Sequence, residues 1–79
     1  MNKESITILK AINGDIYSLA GPHNKKLRQE LIYQLTGDKK PIAKCGIHAI
    51  ELIICNLINP ENNSGYCTIK TLQEFLSNC

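Results

Sequence analysis

The segment from Pro41 to Ile58 constrains this chain more than any other, because it carries more apolar surface than one face of one helix can hold. At 100° per residue, Ile47, Ile50, Ile53, Ile54, Leu57 and Ile58 fall within an arc of about 140°. Ala43 and Gly46 share that arc and would admit a close helix neighbour. Cys45, Ala49, Leu52 and Cys55 make a second, weaker apolar stripe on the opposite side. A helix apolar on two sides must be covered on two sides. The spacing therefore predicts a central helix over about 41–58, with Pro41 suited to its first position. At about 1.5 Å per residue it would reach roughly 25 Å, which is long for a chain of 79 residues.

The rest of the chain supplies shorter helical patterns. Asn13-Gly14 between apolar runs is a hairpin signal. Paired across a two-residue loop, however, neither face of such a hairpin is clean. Read as a helix, Ile8, Leu9, Ile12, Ile16, Leu19 and Ala20 fall within about 120°. A first helix over about 5–20 is expected, with Ser5 as N-cap. Gly14 weakens it by about 1 kcal/mol relative to Ala. Gly21-Pro22 ends it. A second helix, about 24–36, carries Leu27, Leu31 and Leu35 with Ile32, and Gly37 stands just past its end. Asn59 to Gly65 is dense in turn formers and reads as a loop. A fourth helix, about 68–77, puts Ile69, Leu72, Phe75 and Leu76 on one face with Thr68 as N-cap.

The expected fold is all-α, a single domain over 1–79 built as a bundle of three to four helices. A core this small supplies only about 3–5 kcal/mol. Small domains often add disulfides, a metal or a second copy of themselves. The spacing of Cys45, Cys55, Cys67 and Cys79 contains no C-x-x-C, so the usual zinc and redox signatures are missing. The segment after Met1 has no apolar signal region, so a cytoplasmic setting with free thiols is expected. The Asn62-Asn63-Ser64 sequon is then a chance match. What remains is a second copy or another partner, and the expectation is a helical homodimer using Ile47, Ile50, Ile54, Leu57 and Leu52 of the third helix.

Composition narrows function mainly by exclusion. The chain is 43% hydrophobic, too apolar for wholesale disorder, and has no uncharged run long enough for a transmembrane helix. A membrane partner is not expected. The net charge of +2 is too small for a strong claim on nucleic acid. The dense basic clusters are Lys25, Lys26 and Arg28, and Lys39, Lys40 and Lys44. They are either a solvated face or a docking patch for acidic protein or phosphate. His48 and Glu51 stand three apart, as in a metal-binding bundle core, but the second pair such a site needs is absent. Cys45 and His48 have the spacing of a thiol and its base, yet nothing supplies an oxyanion site. No enzyme, cofactor or small-molecule substrate is expected. A helix-turn-helix would need a three- or four-residue turn, and the connections here are longer.

The runs Leu27-Arg28-Gln29 to Leu35-Thr36-Gly37-Asp38, Ile50-Glu51-Leu52-Ile53 and Thr68-Ile69-Lys70-Thr71-Leu72-Gln73-Glu74-Phe75-Leu76 resemble the YmgB/AriR group. Those are small helical enterobacterial proteins, described as biofilm and acid-resistance regulators or two-component connectors. The likeness covers about residues 24–77, and the loop before Cys67 is longer here. It implies an all-helical homodimer that contacts other regulators, and DNA as a further partner. It brings no catalytic motif.

The expected function is a small non-enzymatic regulator acting by protein–protein contact, modulating a bacterial regulatory or stress/biofilm pathway. Its partners would be itself and another regulatory protein. The alternatives are a nucleic-acid-associated regulator working through the basic clusters, and a phage or mobile-element inhibitor of a host protein.

Overall fold

A computed structural model describes residues 1–60 and 69–79, and the statements that follow concern these residues. Four α-helices run in order: α1 Lys3–Ala11, α2 Lys25–Thr36, α3 Ile47–Ile58 and α4 Ile69–Ser77. Short 3₁₀ turns at Ile16–Leu19, Pro22–Asn24 and Ile42–Lys44 join the first three. There is no strand among the described residues, so the all-α expectation holds. Thr68, Cys67 and most of the expected loop lie outside them.

The first helix is shorter than its apolar periodicity suggested. It begins earlier, because Asn2 and not Ser5 is the cap: Asn2 Oδ1 accepts the Ser5 N–H at 2.8 Å. It stops at Ala11, because Asn13 and Gly14 both turn left-handed, at φ 54° and 73°. Asn13 N–H donates to the Lys10 carbonyl and Gly14 N–H to the Leu9 carbonyl. That pair of bonds closes a helix C-terminus as a Schellman motif. The Asn-Gly pair thus makes neither a hairpin nor a tolerated break, but a helix stop. Asp15 restarts the chain by accepting the Tyr17 N–H at 3.2 Å.

The central segment also divides. Ile42–Lys44 is a 3₁₀ turn and α3 starts only at Ile47, after Gly46 in extended conformation. Gly46 has poor helix propensity, and the Cys45 carbonyl just before it is held by Arg28 Nε at 2.7 Å. The helix is therefore 12 residues, about 18 Å long. That length fits the molecule, whose extents are 29 × 26 × 22 Å.

α2 agrees closely with its pattern and ends at Gly37, left-handed at φ 78°. α2 packs against both α3 and α1, the Ile16–Leu19 turn against α3, and α4 against α1. The core gathers Leu9, Ile16, Leu19, Leu31, Ile32, Cys45, Ile50, Ile54, Leu72 and Leu76, so every helix contributes. Each fully buried Leu or Ile contributes about 1.5–3 kcal/mol relative to exposure.

Candidate interaction surfaces

Ile50 and Ile54 are internal, at 0% and 1% exposure, so they belong to the chain's own core and cannot meet a partner. This corrects their assignment to an interface. Ile47 is half-buried against the same core. Leu52 and Leu57 stay open at 50% and 44%. They do not form one patch, because five residues of helix separate them by about 140°. Leu52 stands between His48 and Asn56, both exposed and one turn away on either side. Of the second stripe, Cys45 and Cys55 are buried and Leu52 is not.

Arg28 is the second correction. It is buried, and two of its three guanidinium nitrogens donate inside the fold. Nε donates to the Cys45 carbonyl, and one terminal nitrogen donates to the carbonyls of Leu19 and Gly21, all at 2.7 Å. The acceptors lie at chain junctions: the last residue of one 3₁₀ turn, the glycine that begins the next, and the residue after the Ile42–Lys44 turn. Arg28 is therefore a clamp joining three chain breaks to α2 and no part of a docking patch. A cation in a run of cations gives no sequence signal for this role.

The clamp also builds a surface. Beside Arg28, Gln29 Nε2 donates to the Lys40 carbonyl at 2.7 Å. These two neighbouring side chains fasten residues 40 and 45 along α2. The segment that carries Lys39, Lys40 and Lys44 is thereby tied to the helix that begins with Lys25 and Lys26. Lys25, Lys26, Lys39 and Lys44 are exposed and Lys40 half-buried. Residues 25–44 contain six of the nine cations and only two of the seven acids, a net of +4, while the rest of the chain carries −2.

Apolar side chains lie in the same segment. Tyr33 is 44% and Ile42 38% exposed. Leu27, expected in the core stripe, is exposed as well. Gln29, Glu30, Tyr33 and Lys39 line an open cleft of about 240 Å³. A second cleft, of about 280 Å³, lies between the end of α1 and α4, lined by Lys10, Asn13, Gln73, Leu76 and Ser77.

Comparison with known proteins gives no matching family model, no similar curated protein and no similar solved structure. Function must be argued from the residues themselves.

Among the other polar side chains, Ser5 Oγ is buried without a hydrogen-bond partner. Glu51 Oε2 accepts the Tyr17 hydroxyl at 2.6 Å, tying the 3₁₀ turn to α3, and the nearby His48 is exposed. The Cys45 thiol is buried and directed at the Pro41 carbonyl, 3.3 Å away. Among the described residues no three His, Cys, Asp or Glu side chains gather as metal ligands. No described helix is long and apolar enough to cross a membrane.

Proposed function

We propose that this chain is a small non-enzymatic regulatory protein that works by binding another protein. The observation that carries this reading is the mixed face of α2 and residues 37–46. There, Lys39 lines an open cleft with half-exposed Tyr33, and Lys25, Lys26, Lys40, Lys44 and the exposed Ile42 belong to the same segment, which Arg28 and Gln29 tie to α2. A rigid surface with apolar anchors among charges suits protein contact, since little ordering cost remains to be met on binding. Self-association is a second part of the reading. It is supported by Leu52, a large apolar side chain half exposed on the outer side of α3. A bacterial stress or biofilm pathway is the setting that the likeness to the YmgB/AriR group would give such a regulator.

Affinity capture from nuclease-treated bacterial lysate tests the protein-binding reading. The wild type should retain a discrete protein that a Lys39→Glu/Lys44→Glu variant does not. Equal retention by both, or retention by neither, would overturn it. The lysines also favour a nucleic-acid reading. That reading requires a gel shift at low salt which weakens steeply as salt is added, and an unshifted band at low salt disposes of it.

A further inference from the structure

We propose that the basic face of α2 and residues 37–46 takes an acidic amphipathic peptide segment of its partner in preference to nucleic acid. The inference rests on the protein-binding reading above and names the chemistry of the partner. Charge complementarity is the first ground. With Arg28 buried, residues 25–44 offer five lysines against Glu30 and Asp38, a net +3, in a chain whose remainder is −2, and the clamp ties residues 40 and 45 to α2. Lys25 and Lys26 occupy the first turn of α2, where the positive helix end opposes cations. No side chain caps that end, because Asn24 donates instead to the carbonyls of Ser18 and Ala20.

The kinds of group present then separate peptide from nucleic acid. The segment's one arginine is consumed internally, so no guanidinium fork is left for phosphate or guanine. The remaining cations are lysines, which pair with carboxylates as point charges. Glu30 lines the cleft together with Lys39, Tyr33 and Gln29. Tyr33 lines the cleft half exposed, and Ile42 is exposed in the segment that follows α2. Ile42 cannot stack on a base, and phosphates leave apolar surface uncovered. The apolar side of an amphipathic helix can cover it.

Fluorescence anisotropy at about 50 mM salt with three labelled probes tests the inference. The probes are a peptide of Glu with Leu at helical spacing, a poly-glutamate of equal charge and a DNA duplex of equal charge. The amphipathic peptide should bind tightest. Lys39→Glu/Lys44→Glu should weaken it on the order of tenfold. Tyr33→Ala should weaken it by a similar factor while leaving poly-glutamate unchanged. Circular dichroism confirms that these surface variants are folded. DNA binding as tightly as the peptide, poly-glutamate matching the peptide, or indifference to Tyr33→Ala would each overturn the proposal. Failure of every probe while the lysine-dependent capture from lysate persists overturns the peptide class alone. Failure of both experiments removes the docking surface altogether.

Discussion

Arg28 carries its charge into the interior with no carboxylate opposite it among the described residues, and three backbone carbonyls take that place. A buried guanidinium is tolerable when its donors are satisfied, and carbonyl oxygens that turns have freed from helical bonding need donors as much as the arginine needs acceptors. The exchange serves both sides, and it fixes the positions of Leu19, Gly21 and Cys45 against α2. Removing it has two costs: the charge-assisted bonds, and the desolvated carbonyls left behind. Arg28→Ala should destabilise the fold by about 3 kcal/mol or more in urea unfolding. Arg28→Lys should recover little of this, because one ammonium on a flexible stem cannot span carbonyls approached from two nitrogens of a planar fork. Near-complete rescue by lysine would show that charge alone mattered. None of this is legible in the sequence. A cation between lysines and near helix-surface glutamine reads as solvated, and its partners sit 7, 9 and 17 residues away with no periodicity to mark them.

Helix ends decided where pattern reading succeeded and where it failed. The second helix was legible because its apolar spacing, its length and the glycine after it agree. The first was not, although the wheel drawn through 5–20 selected Leu9, Ile16 and Leu19, which are all buried. Two shorter elements reach the same core as one long helix, since the wheel records which residues point inward and not whether the backbone between them is continuous. The break at Asn13-Gly14 is fixed by α4 as well as by its own conformation. Gln73 Nε2 donates to the Asn13 carbonyl at 2.8 Å, and a Cβ on Gly14 would lie 2.8 Å from Gln73 Cγ. Gly37 provides the control, left-handed likewise but with nothing within 4 Å of an added Cβ. Gly37→Ala should therefore cost only the left-handed penalty, about 1 kcal/mol. Gly14→Ala should cost about 2 kcal/mol, because Gln73 must also move and give up its hydrogen bond. In a Gln73→Ala background the two glycine substitutions should cost nearly the same. If Gly14→Ala stays twice as costly there, contact with α4 is not the cause.

At the scale of the molecule, the apolar excess of the third helix has an internal answer. A folded chain of this length has a radius of gyration of about 11.6 Å, and the observed value is 11.6 Å. α3 is 12 residues long, and Ile50 and Ile54 are buried in the chain's own core while Leu52 and Leu57 stay open. Stability and association can therefore be separated by two side chains of one helix. Ile54 is 1% exposed and Leu52 50%, two residues apart on opposite sides. Ile54→Ala leaves a cavity and should cost about 2–5 kcal/mol at every protein concentration. Leu52→Ala loses little packing and should cost less than about 1 kcal/mol in dilute solution. Association through α3 adds a stabilising term that grows with concentration, because only the folded chain associates. Thermal unfolding from low micromolar to several hundred micromolar protein should then show the wild-type midpoint rising, while that of Leu52→Ala stays fixed. A wild-type midpoint that does not move removes self-association from the functional reading. A Leu52→Ala penalty as large as that of Ile54→Ala in dilute solution would instead mean that Leu52 is part of the core, contrary to its exposure.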